Sequence, residues 1–161
     1  MNHLEQLISE WLEFKGYFVR NNVKVGPLKH GGHEGELDVV AYDPKTNRIL
    51  HIEPSMDSHT WTKRETRFKK KFAAGTKYIF PQVFPSLDKN TKIEQWAVIM
   101  GSDSAHKTLG GGTVYTVPRI YEMIANDLKH KAEKEGWPKA IPEQYMLLRT
   151  MQHTLRWTVP R

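Results

Sequence analysis

Glu36-Leu37-Asp38-Val39-Val40-Ala41-Tyr42 and Ile49-Leu50-His51-Ile52-Glu53-Pro54-Ser55 flank a short segment, Asp43-Pro44-Lys45-Thr46-Asn47-Arg48, that is rich in turn formers. Pro44 suits the second position of a tight turn, and the apolar alternation on either side predicts a β-hairpin. If Asp43 faces Arg48, then Tyr42 faces Ile49, Val40 faces His51 and Asp38 faces Glu53. Alternation then puts Leu37, Val39, Ala41, Leu50 and Ile52 on one apolar face. The other face carries Glu36, Asp38, His51, Glu53 and Ser55 at its open end, with Val40, Tyr42 and Ile49 near the turn. Opposed residues on one face have Cβ atoms about 5 Å apart. Two carboxylates that close repel unless a proton or a cation sits between them. A divalent metal ion satisfies that requirement; a solvated polar face on an ordinary hairpin is the other reading of the same residues. A slip of one residue in register would separate the pair.

The rest of the composition narrows the setting. The 161 residues suffice for one domain with a real core, taken here as 1–161. The chain has no cysteine, which excludes disulfides and thiolate metal sites. It has no apolar run of about 18 residues, and Met1-Asn2-His3-Leu4-Glu5 lacks a signal-peptide pattern, so a soluble cytoplasmic protein is expected. The net charge of +6 favours a polyanionic partner.

Periodicity and punctuation give an α/β element order. A helix is expected over about Asn2–Lys15, with Leu4, Leu7, Ile8, Trp11 and Leu12 as its stripe and Gly16 as its stop. A strand near Tyr17–Val25 follows, then a glycine-rich loop, Gly26–Gly35, and the hairpin. A basic helix over Thr60–Ala74 is closed by Gly75, and Phe80–Thr91, with Pro81 and Pro85, reads as irregular. Strands near Gln95–Met100 and Thr113–Val117 precede a helix over Pro118–Glu135. Pro138 and Pro142 bracket a loop before a last helix, about Pro142–Trp157, with Leu148, Met151 and Leu155 on one side.

That order, α-β-β-β-α-β, resembles the core of the PD-(D/E)XK nuclease superfamily. Leu4-Glu5-Gln6-Leu7-Ile8 through Gly16-Tyr17-Phe18-Val19-Arg20 is similar to the first helix and strand of Holliday-junction resolvases and other restriction-endonuclease-like proteins. Gly35-Glu36-Leu37-Asp38 matches the segment with the family's aspartate, and Ile52-Glu53-Pro54-Ser55 matches its (D/E)-X-K strand up to the last residue, where Ser55 replaces lysine. The resemblance covers about residues 3–100 and leaves 101–161 as a C-terminal helical extension.

The resemblance implies a mixed central sheet flanked by helices and metal-dependent hydrolysis of DNA phosphodiester bonds, in repair, recombination or restriction. It implies Mg²⁺ (or Mn²⁺) held by Asp38 and Glu53, with the Pro54 carbonyl as a third ligand. Glu5 matches a first-helix glutamate that holds a metal-bound water or a second ion. Members that act as homodimers meet symmetric substrates with two sites. Ser55 has neither the charge nor the basicity of the missing lysine. Three explanations stand: a cation supplied by the next helix, where Lys63, Arg67 and Lys70 share a face; catalysis without it; or a nuclease fold kept only for binding nucleic acid or joining a larger complex.

The basic helix is the second signal. Lys63, Arg64, Arg67, Lys69, Lys70 and Lys71 stand against Glu65 alone, a pattern suited to DNA phosphates and equally to a solvated face. Trp61, Phe68 and Phe72 recur at helical spacing and read as core. His30-Gly31-Gly32-His33-Glu34 reads as a mobile surface segment, His51 as a sheet histidine, and Gly110-Gly111-Gly112-Thr113, which lacks a P-loop lysine, as a turn.

Overall fold

A computed structural model describes residues 1–101, 105–137 and 141–158. In chain order the elements are α1 (His3–Phe14), β1 (Phe18–Pro27), β2 (His33–Asp43), β3 (Arg48–Ser55), α2 (Trp61–Tyr78), β4 (Lys92–Ile99), β5 (Thr108–Leu109), β6 (Gly112–Thr116), α3 (Val117–Glu135) and α4 (Met146–Thr158). The strands form one mixed sheet in the order β1-β2-β3-β4-β6-β5. The β1–β2, β2–β3 and β5–β6 pairs are antiparallel, and the β3–β4 and β4–β6 pairs are parallel. Parallel neighbours cannot be joined by a tight turn, so the β3–β4 link has to cross over the sheet, and α2 is that crossover.

Local chemistry explains where the elements begin. The Asn2 side chain accepts from the Leu4 and Glu5 N–H groups at 3.0 Å, and Glu5 Oε2 accepts from the Asn2 N–H at 2.9 Å. This capping box starts α1. In the β2–β3 turn, Asp43 accepts from the Lys45 N–H at 2.9 Å and the Thr46 hydroxyl at 2.6 Å, while Asn47 takes a left-handed φ of 49°. The expected register follows: Asp43 pairs with Arg48, Tyr42 with Ile49 and Val40 with His51.

The sheet separates two layers of core. On one face α1, α3 and α4 pack Leu4, Ile8, Ile120 and Leu148 against Val39, Ala41, Leu50 and Ile52. The C-terminal helices are thus part of the main core rather than an appendage to it. On the other face α2 and the segment after it cover Val40, Ile49, Ala97 and Ile99. Phe68 and Phe72, both almost fully buried, hold α2 down, at about 2 kcal/mol each for apolar burial. No described helix is long and apolar enough to cross a membrane.

Several expectations need correction. Leu37 does not share the face of Val39: it packs with Val25 and Ala74 under α2. The cause lies in β1, where Asn22 has φ 50°, between the Asn21–Val39 and Val23–Leu37 pairs. The left-handed residue turns the ribbon at the level of Asp38, a conformation asparagine tolerates. Half of the glycine-rich segment 26–35 is strand, with β1 running to Pro27 and β2 starting at His33, so His33 lies in a strand and only His30 in the turn. Gly75 does not end α2, which continues to Tyr78 and then into a π turn over Ile79–Val83, overlapping the start of the stretch expected to be irregular. The last helix starts at Met146, not Pro142, and the Pro138 side of the preceding loop lies outside the described residues.

Candidate functional site

The β2–β3 ladder is paired as far as Val39 and Ile52, which leaves Asp38 and Glu53 as the next opposed positions. Freed from the ladder, the Asp38 N–H turns to Glu53 Oε1 at 3.3 Å. Both acids lie beneath α2 and both are buried. One ammonium lies between them: Lys71 Nζ donates to Asp38 Oδ2 at 2.7 Å and also to Glu53 Oε2. The demand for a cation is therefore met from α2.

Ser55, where the resemblance leads one to expect a lysine, accepts from Arg67 Nη2 at 2.6 Å and donates to Asp57 Oδ2. Asp57 also pairs with Arg67 and, at 3.2 Å, with Arg64 Nε. Arg67 and Lys71 stand one turn apart on α2, so both point down the same side of the helix. Between them a small cavity of about 100 Å³ is lined by Glu53, Pro54, Ser55, Arg67, Phe68 and Lys71.

Burial governs the titration of the acidic pair. It pushes Asp38 up to about 7, and the adjacent Glu53 adds to the rise. Burial also works against charge on Glu53, but the hydrogen bond from His51, then Asp38 and Lys71, outweigh it and hold Glu53 below the usual carboxylate range. The two acids are coupled and titrate as a pair, with Asp38 raised and Glu53 lowered. For Lys71 burial is outweighed by Glu53 and Asp38, and its ammonium is held above its ordinary value.

The expected site residues fall into three groups. Asp38, Glu53 and Lys71 meet directly, and Ser55, Arg67 and Arg64 are joined through Asp57 beside them. Lys63, Lys69 and Lys70 are exposed on α2. Lys63, the expected source of the cation, is in the first turn of the helix; the ammonium at the acids belongs to Lys71, about two turns on. Glu5 is engaged by its capping box, and Asn22 Nδ2 lies between it and Glu36, at 3.5 and 3.3 Å. Among the described residues, no group of three or more histidine and carboxylate side chains forms a ready metal cage. Two carboxylate oxygens that already converge on one cation still suit Mg²⁺, which takes one or two carboxylates and keeps its waters.

Asp57 was not anticipated. It follows Glu53 at the next-but-one position on the same side of the chain, and that spacing was its only signal in the sequence. Burial works against its charge, yet hydrogen bonds from Ser55, the His59 amide, Arg67 and Arg64 hold its carboxyl well below the usual range. An acid depressed on folding adds stability above its unfolded value of about 4, and this is lost as the pH falls below that value. Asp57→Asn is therefore expected to cost about 1–3 kcal/mol at pH 7, because the Arg64 guanidinium, only 12 % exposed, loses its counter-charge. The gap between variant and parent in thermal unfolding should narrow at pH 3; a gap independent of pH would contradict the ion-pair role.

No family model, curated protein or solved structure matches the chain.

Proposed function

We propose that the protein is a metal-dependent DNA endonuclease of the PD-(D/E)XK kind, whose motif lysine is supplied by α2. The observation that carries this reading is the convergence of Asp38 and Glu53 on one ammonium, that of Lys71, which lines the same small cavity as Ser55. Asp38 and Glu53 would hold Mg²⁺ (or Mn²⁺), with the Pro54 carbonyl nearby on the same strand. When bound, the metal supplies charge stabilisation to the phosphate and lowers the pKa of an attacking water.

The chain's own residues do the rest. Lys71 would yield its place between the acids and, tethered to α2, keep its charge within reach of the scissile phosphate, the work the motif lysine does elsewhere. Arg67, fixed by Asp57 and Ser55, holds a second cation at the same mouth. Lys63, Lys69 and Lys70 face solvent, where they suit backbone phosphates and would make binding strongly salt-dependent. Glu5 is left as a helix cap in this reading.

Cleavage of plasmid and branched DNA with Mg²⁺ or Mn²⁺ tests the proposal. The parent should cut and Asp38→Ala should lose at least about a hundredfold in rate, the scale on which such electrostatic groups act. Equal behaviour of the two proteins would overturn it. The same site also favours a second reading, a nucleic-acid-binding protein without activity, because Lys71 already neutralises the acids and Ser55 is tied to Asp57. Mn²⁺ titration calorimetry separates the two, since only the nuclease reading requires a metal site at Asp38 and Glu53.

A further inference from the structure

His51 is a buried histidine whose ring is held by three separate elements. It pairs with Gln95 across the parallel β3–β4 ladder. The Gln95 amide has two hydrogens and two acceptors in reach: the Phe72 carbonyl at 2.8 Å and His51 Nδ1 at 3.3 Å. Accepting at Nδ1 leaves the ring proton on Nε2. Nε2 lies 2.7 Å from Glu53 Oε1. The Phe72 ring meets the imidazole edge-on, with centroids 5.4 Å apart. From above, α2 approaches so closely that a Cβ on Gly75 would stand 2.2 Å from His51 Nδ1. Glycine in mid-helix costs about 1 kcal/mol relative to alanine, so its presence here serves this contact.

The consequence falls on Glu53. Its Oε1 is occupied by two donors, His51 Nε2 and the Asp38 N–H. Only Oε2 is turned toward Asp38 Oδ2 and the cation between them. We propose that His51, oriented by Gln95 and Gly75, is a positioning residue that holds Glu53 in the single rotamer able to bind a divalent cation through Oε2. This rests on the metal-binding reading above and goes beyond it. An unrestrained glutamate on this strand could chelate with both oxygens or turn away, and either would lose the convergence with Asp38. Partners of this outer kind are typically worth 10–100-fold in metal affinity.

Mn²⁺ titration calorimetry on the full chain tests the idea, with thermal unfolding of the metal-free protein alongside. His51→Leu fills the space but removes the donor; His51→Gln keeps an N–H near the position of Nε2. A merely structural histidine predicts that both variants change affinity and melting temperature together. A positioning role predicts an affinity loss of about 10–100-fold for His51→Leu and less than about threefold for His51→Gln, whatever the two changes do to stability. Gln95→Met keeps the ring but removes the donor to Nδ1, and should lower affinity by an intermediate factor. If His51→Leu does not fold, the Gln95→Met result decides. Parental affinity in His51→Leu or, failing that, in Gln95→Met, or equal losses in His51→Leu and His51→Gln, would overturn the inference while leaving the metal site standing. Failure of the parent itself to bind Mn²⁺ would remove the metal site and the inference with it.

Discussion

Lys71→Met is expected to tighten Mn²⁺ binding roughly tenfold and at the same time to slow DNA cleavage by at least about a hundredfold. The opposite signs come from the two positions asked of one side chain. The Lys71 ammonium sits between Asp38 and Glu53, where a bound metal would have to displace it. Methionine fills similar volume with no charge, so the metal no longer competes with an ammonium for the acidic pair. Tenfold corresponds to about 1.4 kcal/mol, modest for a charged competitor in a buried site. On the nuclease reading the loss of the same ammonium would slow cleavage, because the cation that contacts Ser55, Arg67, is committed to Asp57. Calorimetry and single-turnover cleavage read the two effects separately. Any general disturbance of the fold would weaken both, so weaker binding together with slower cleavage would argue against the displacement.

Gly110→Ala is expected to cost about 3 kcal/mol or more, from a left-handed backbone and a steric overlap acting together. Gly110 has φ 58° at the tip of the β5–β6 hairpin. A Cβ there would lie 2.4 Å from the Lys69 nitrogen and 2.5 Å from the Phe68 carbonyl carbon. These are backbone atoms of α2, so no flexible side chain can move aside. The hairpin is also fastened at this point, since the Gly110 N–H donates to Glu65 Oε2 at 2.9 Å. At roughly 2–4 °C per kcal/mol for a chain of this size, the melting temperature should drop by about 6–12 °C. An unchanged melting temperature would mean that the hairpin tip does not press on α2. Because the overlap lies less than one turn before Lys71, any shift of α2 that relieves it also moves the ammonium.

The acidic pair was legible in the sequence because a hairpin is local. Asp43, Pro44 and Asn47 set the turn, the turn sets the register, and the register brings Asp38 to Glu53. The cation was not legible in the same way. Lys63, Arg67 and Lys70 share a helical face, but which face meets the sheet is decided by Phe68, Phe72 and Gly75, and Lys71 borders that stripe. Gly75 looked like a helix stop because glycine usually is one; its reason is the His51 ring on a strand 24 residues earlier, as the numbering shows. Leu37 failed as an alternation because Asn22, on a different strand, turns the ribbon beside it. In each case the missing information was a tertiary neighbour, which no local window contains.

The sheet also acts as a partition. Leu148 of α4 is buried against the layer built by α1 and α3, whereas Asp38, Glu53 and Lys71 belong to the layer under α2. A partner seated on the exposed flank of α4 would therefore bind back to back with the acidic site, across the thickness of the strands. It would leave the mouth beside Arg67 open to a long polymer. Two copies joined through that flank would present their carboxylates on opposite outer surfaces, too far apart in direction to act on one phosphate together.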